Sequence, residues 1–436
     1  RFGALRPPGP QENNTMKKFL FERAFACLSR FGALRPPGPQ ENNTMKKHLF
    51  ERAFACLCLI GALGAGAGEA AASNYQVISE TNTLIDIPLG KLQLTETVVQ
   101  DGPETINRFK MHRLRRLILP RRGVLLLLPS LGNNFSMYLV HESGDLRNSF
   151  AAVYARAGIE VWGYTPRSSL LKAGDCAGPV NCAPALNWNL QTTVNDVTYI
   201  RSRIAALAPG GKPVVGGLSM GAAAGIAVVN QHPNDYAALL AWEGSLVTDN
   251  PVFRAHALNF CNQFGGALGA GVAVDDQSLP LVKQVAQLAQ AAPNAAFPIP
   301  IPGFPPGLTN LQALVLILST PNPIAPSPRP GFISAAGDFV AGTFTYASLN
   351  RVFANLAVFD DVTANGVMRD LYCSLAGADT THTSSLQNFT GPVLVIKGGQ
   401  GFGSIMDELP GKLGSTSVTV KRSEERRVGK ECRSRW

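Results

Sequence analysis

Apolar and polar residues alternate over residues 82–119, on both sides of Asp101-Gly102, a pair that favours a tight turn. Antiparallel strands are therefore expected to open the folded region. Beyond residue 123 the rhythm changes. VLLLLPSLGNN at 124–134 reads as a buried strand running into a loop, residues 148–157 as a helix, and 159–164 as another strand. Residues 190–207 place Val194, Val197, Ile200 and Ile204 three or four apart, the spacing of one helix face. Short apolar runs follow at 213–216, 237–242 and 393–397, and one more begins at 417–420. Continuous apolar strands alternating with helices imply an α/β fold, a mostly parallel sheet with helices on both faces.

Between residues 245 and 389 this rhythm is interrupted by other helical runs and the proline-rich FPIPIPGFPPG at 297–307. Residues 311–318 and 346–358 are too apolar to stay solvated as a linker. The stretch is expected to be a cap or lid inserted between two sheet strands. The core is then split into 73–244 before it and 390–421 after it.

The ends of the chain break the pattern. RFGALRPPGPQENNTMKK begins at Arg1 and again at Arg30, and a stacked repeat needs about three units to bury a core, so residues 1–44 read as a duplicated leader carried into the sequence. From Met45, two lysines, an apolar run over 53–67 and Ala70-Ala71-Ala72 form the three regions of a secretory signal peptide, 45–72. Its apolar run is too short and glycine-rich for a stable membrane span. RSEERRVGKECRSRW, at 422–436, reads as translated sequencing adapter.

The formal charge of +9 lies mostly in those ends. Residues 1–72 hold 10 Lys+Arg and 5 Asp+Glu, residues 422–436 hold 6 and 3, and the totals of 39 and 30 leave 23 against 22 between them. Charge thus gives no reason to expect nucleic acid as a partner. The 349 residues from Ser73 to Lys421 suit one large domain with an insertion. They contain Cys176, Cys182, Cys261 and Cys373. An even number in an exported chain favours disulfides, Cys176–Cys182 and Cys261–Cys373, with buried free thiols as the alternative. No Cys-x-x-Cys or histidine cluster suggests a metal, and no cofactor is expected.

Gly217-Leu218-Ser219-Met220-Gly221 follows the apolar run at 213–216 and leads into a helix-like stretch at 222–230. Strand, sharp turn and helix in that order make a nucleophile elbow, in which small flanking residues let the serine hydroxyl stand above the sheet. Ser219 is the candidate nucleophile. Its tetrahedral intermediate needs backbone donors. The Met220 amide is one candidate, and Leu131 in Pro129-Ser130-Leu131-Gly132 is the other, with Ser130 next. Pro129 has no N–H to give. A dinucleotide-binding reading of 216–221 fails, because GGLSMG is not G-x-G-x-x-G and its strand does not open the domain.

With these residues the chain resembles the α/β-hydrolase fold serine esterases and lipases. NSFAAVYARAGIEVWGYTPR at 148–167, the segment 188–200 with Asp196, and VVGGLSMG at 214–221 are similar to the neutral-to-acid lipases of the gastric and lysosomal kind. The resemblance implies a triad in the order Ser, Asp or Glu, His, with the histidine after the last sheet strand. The chain leaves that strand at Lys421, so the catalytic His is expected to be absent from it. None of His112, His141, His232, His256 or His382 stands at the required place, and His141 and His382 would at most line the pocket. The usual place of the acid reads Gly398-Gly399-Gln400-Gly401-Phe402-Gly403, with no carboxylate. Glu243, directly after the run at 237–242, is the expected acid; some haloalkane dehalogenases, which it resembles in this, also place it after the earlier strand. Asp407 is the alternative, and Asp196 reads as a structural acid on its helix. The expected protein is a secreted or periplasmic carboxylic-ester hydrolase acting through an acyl-serine on a small ester or lipid. The alternatives are a non-catalytic binding domain of the same fold, or an amidase or acyltransferase.

Overall fold

The computed structural model describes residues 74–423 apart from 89, 179, 300, 302–303, 320–337, 345–347 and 399–402. The leader and signal-peptide readings lie outside the described residues, as does the adapter reading except at Arg422 and Ser423. The alternating region forms β1 (Tyr75–Ile87), β2 (Gly90–Asp101) and β3 (Arg108–Arg116), paired antiparallel in that order. β1 starts well before the alternation does. Nearly all its side chains face solvent, so no apolar pattern marks it, and its backbone ladder with β2 is what orders it.

The apolar run then becomes β4 (Gly123–Leu128), buried from Val124 onward. Ser149 caps helix α1 (Phe150–Arg156) by accepting from the Ala152 amide. β5 (Ile159–Thr165) follows, then α2 (Leu190–Leu207), which a reciprocal Asn189–Thr192 capping box starts. Next come β6 (Val214–Leu218), α3 (Met220–Gln231) and β7 (Ala238–Trp242). α3 is apolar nearly all round and buried along most of its length, as a helix packed on a sheet and covered by others must be.

The insertion is helical. It holds α4 (Pro251–Gly269), the two-residue strand β8 (Val274–Asp275), α5 (Ser278–Ala291), α6 (Asn310–Ser319), α7 (Leu349–Leu356), β9 (Thr363–Ala364) and α8 (Asn365–Ala376). Val285, Ala289, Leu314, Val352 and Leu356 give it a small core of its own. Both expected disulfides are present. Cys261–Cys373 joins α4 to α8, and Cys176–Cys182 closes a loop before α2.

β10 (Val393–Gly398) and β11 (Val418–Ser423) complete the sheet. Arg422 and Ser423 still pair with Lys397 and Gly398, two residues past the boundary expected at Lys421, because a ladder is made by backbone whatever the side chains are. Among the described residues the order is β1-β2-β3-β5-β4-β6-β7-β10-β11, parallel from β5 onward. The chain moves from β4 to β5 on one side, then to β6 on the other. The crevice at the C-terminal ends of β4 and β6 is therefore the switch point where an open α/β sheet holds its ligands. No described helix is long and apolar enough to cross a membrane.

Candidate active site

Ser219 sits between β6 and α3 with φ 56° and ψ −115°. A non-glycine residue rarely takes a positive φ, and one that does is held there by its surroundings. Its amide donates to the Trp242 carbonyl at 2.7 Å. The flanking glycines are required by contact. A Cβ on Gly217 would lie 1.9 Å from the Leu128 carbonyl oxygen, and one on Gly221 would lie 2.0 Å from the same atom. Leu128 pairs with Gly217 in the sheet, so the end of β4 and the elbow meet at one level.

The two proposed oxyanion donors lie in these two loops. Met220 is the first residue of α3, where an amide has no acceptor within the helix. In the loop after β4, the Ser130 amide points to the Met137 sulfur at 3.4 Å. No acceptor engages the next amide, that of Leu131, among the described residues. Tyr138 joins the two loops. Its buried hydroxyl donates to the Leu128 carbonyl at 2.7 Å and accepts from the Leu218 amide at 3.1 Å. Burial pushes its phenol well above the usual range. Sequence reasoning missed this residue, and only its position ten residues past β4 hinted at it.

The two acid candidates differ in surroundings. Glu243 directly follows β7, is buried, and has φ 50°, with its amide donating to the Ile396 carbonyl at 2.9 Å. Asp407 is half-exposed and ion-paired with the buried ammonium of Lys397. The glycine loop at 399–402 lies outside the described residues. Asp196 is fully buried on α2 and held by Arg167 at 2.6 and 3.0 Å and by the hydroxyls of Tyr75 and Tyr164. That saturated cluster marks it as structural.

No described histidine bonds to Ser219. His112 is buried on β3, 2.8 Å from Thr165 Oγ1 and stacked on Phe135. His141 pairs with Ser143 in its own loop. His232 follows the last turn of α3, and His256 lies on α4. His382 is 3.3 Å from Gln231 at the far end of α3 from the elbow. At a rise of about 1.5 Å per residue, that helix alone separates it from Ser219 by about 18 Å.

Leu131 and Met220 border an apolar cleft of about 40 Å³ that Leu190, Ala224, Val367 and Met368 also line. Neither His141 nor His382 is among the residues that line it. A roomier polar hollow of about 200 Å³ lies beside Glu80, Arg113, Arg115 and Arg203 and includes no residue of the elbow. The smaller cleft is the one that borders the candidate chemistry.

No family model matches the sequence, and no curated relative matches it. Solved structures do resemble it. A Sulfolobus solfataricus protein provisionally described as a lipase is similar at 16% identity and TM-score 0.53, over 79% of this chain and 91% of that one. A Mycobacterium tuberculosis protein is similar at 14% identity and TM-score 0.41, over 75% and 92%. A Paleococcus ferrophilus monoacylglycerol lipase is similar at 13% identity and TM-score 0.35, over 72% and 88%. The first likeness, the strand order and the elbow together define the α/β-hydrolase fold. At such identity they establish architecture, and the reaction has to be argued from the site.

Proposed function

We propose that this protein is an exported carboxylic-ester hydrolase that works through an acyl-enzyme on Ser219. The observation that carries this reading is the left-handed backbone of Ser219, wedged by two obligatory glycines against Leu128 at the head of α3. A serine whose only role was structural would not need that strained turn at a sheet's switch point. In the proposed reaction Ser219 Oγ attacks the ester carbonyl carbon while its proton passes to an imidazole. The carbonyl oxygen takes the negative charge and is met by the Met220 and Leu131 amides. Collapse breaks the bond to the alcohol, which leaves with the imidazole's proton. Water then attacks the acyl-serine by the same route, releasing the acid and restoring the hydroxyl.

Glu243 is the proposed acid, orienting the imidazole. It leaves the strand next to that of the serine and is buried, whereas Asp407 lies beyond β10 and is half-exposed. No described histidine bonds to Ser219, so the reading leaves the base to a residue outside the described ones. Export is supported by the two disulfides, which persist in oxidising compartments. The apolar cleft suits an uncharged acyl or alcohol group.

That no histidine bonds to Ser219 among the described residues favours one second reading, a binding domain that keeps the elbow without turnover. A fluorophosphonate separates the two. In a chain continued past β11 by its native sequence, the hydrolase reading expects labelling at Ser219 and loss of ester turnover in Ser219→Ala. No label, or turnover that survives Ser219→Ala, would leave the binding domain.

A further inference from the structure

The loop that carries the second oxyanion donor is held from above by the cap. Asp360 lies between α7 and β9, is 6% exposed, and reaches the loop by backbone and side chain. Its amide donates to the Gly132 carbonyl at 2.8 Å. Its Oδ1 accepts from Asn134 Nδ2 at 2.8 Å, and its Oδ2 accepts from Ser169 Oγ at 2.6 Å. The neighbouring residues Asn133 and Phe359 form a short antiparallel bridge. Leu279 of α5 packs so closely on Gly132 that a Cβ there would meet its Cδ2 at 2.7 Å.

The Asn134 amide has no freedom to turn away. Its oxygen already accepts from Ser136 N–H at 2.8 Å, capping the turn that ends in Tyr138, so its nitrogen must face Asp360. A chain of contacts thus runs from the cap through Asp360 and Asn134 to Tyr138, which spans the ends of β4 and β6. Leu131 lies inside the segment these contacts fix.

We infer that Asp360 is a positioning residue, a cap carboxylate that fixes the loop of Leu131 so that its amide and that of Met220 converge on one oxygen. It also borders the apolar cleft, and the positioning role runs through Gly132 and Asn134. The role rests on the hydrolase reading of Ser219. Its consequence is that cap and oxyanion hole form one unit, and a cap that shifts also dismantles the donor pair.

The test, in the same chain used for the labelling above, is the rate at which a fluorophosphonate labels Ser219, resolved into a saturation constant and a limiting rate. Phosphonylation places the phosphoryl oxygen where the oxyanion would sit, so it reads donor geometry. Asp360→Asn keeps an acceptor toward Asn134 and offers an N–H to Ser169, so it should retain the rate. Asp360→Leu keeps approximate shape without acceptors and should lower the limiting rate about 10- to 100-fold, the scale of an ångström-sized displacement. In Asn134→Ser, whose residue does not line the cleft, the saturation constant should stay within about twofold, because reagent binding is not what is lost. Asn134→Ser retains a capping oxygen but cannot reach Asp360, and it should reproduce the loss if Asp360→Leu does not fold. Equal limiting rates in the unaltered protein and in folded Asp360→Leu or Asn134→Ser would overturn the assignment, as would failure of Asp360→Asn to retain the rate. An unaltered protein that takes no label at Ser219 would instead remove the hydrolase reading, and this role with it.

Discussion

Ser219 and Glu243 leave neighbouring strands with the same unusual backbone twist, φ 56° and 50°, and no other described non-glycine residue has a positive φ. Each amide is tied to the next strand along, Ser219 to Trp242 and Glu243 to Ile396. Two strained residues side by side at a switch point mark where the fold gives up local stability to place side chains.

If Glu243 orients the base, Glu243→Gln should lower kcat by orders of magnitude in a chain that carries its histidine. Orienting acids in other triads cost about 10⁴-fold when neutralised. Asp407→Asn should leave kcat of the folded protein within about threefold, because on this reading its carboxylate serves the buried Lys397 and not the imidazole, even if stability falls. Steady-state kinetics of the two variants decide the matter, and the opposite ranking would move the acid to the later loop.

Gly221→Ala should damage the site more than the fold. The added methyl would stand 2.0 Å from the Leu128 carbonyl, so β4 and the elbow must separate. Overpacking of this kind costs about 1–3 kcal/mol, while the displaced serine should lose about 100-fold in rate. Urea unfolding and labelling of Ser219, measured together, should show that disproportion. A variant with unchanged labelling would mean the elbow tolerates a wider turn than the contact allows.

Tyr138→Phe removes one hydroxyl and leaves a buried carbonyl at Leu128 and an amide at Leu218 unanswered. The expected loss is about 1–3 kcal/mol of stability, with slower turnover because both loops lose their shared strut. A shift of the urea midpoint below about 0.5 kcal/mol would show that water replaces the hydroxyl.

The bridge Cys261–Cys373 spans 112 residues, from one side of the cap to the other. Cross-links over long loops restrict the unfolded chain most, so replacing both cysteines by serine should cost about 2–4 kcal/mol. Replacing Cys176 and Cys182, only six residues apart, should cost less. Equal losses for the two pairs would argue against the loop-closure account.

His112 gives the fold an acid-side sensitivity. Its Nδ1 is 3.4 Å from Glu96, which would favour the charged ring, but Glu96 is 39% exposed and its pull is weakened by water. Burial, with Lys110 adding to it, pushes the ring down to about 3. In the unfolded chain it titrates near its ordinary value of about 6.5. Between those values the unfolded state binds a proton that the folded state does not, so stability falls as pH falls, by up to about 1.4 kcal/mol per pH unit. His112→Gln should flatten that dependence between about pH 7 and pH 5, above the range where ordinary carboxylates titrate. Parallel urea midpoints across that window in both proteins would refute it.

The sequence by itself determined the sheet's central elements and the sharp turn at Ser219. Strands buried on both faces must be apolar throughout, and the helix face of α2 repeats with the helix period, so β4, β5, α2 and β6 are written in local composition. Ser219 was legible for a related reason, since the glycines that clear Leu128 are its neighbours in the chain. Tertiary structure alone decided the rest. β1 has almost no buried face and therefore no pattern. The partners of Asp196 and Asp407, Arg167 and Lys397, are ones that only folding selects. Asp360 meets Asn134 across 226 residues, and no spacing rule spans that distance. A side chain's burial periodicity is imposed on its own few neighbours, whereas the partner of a buried polar group is fixed by where two distant segments come to lie.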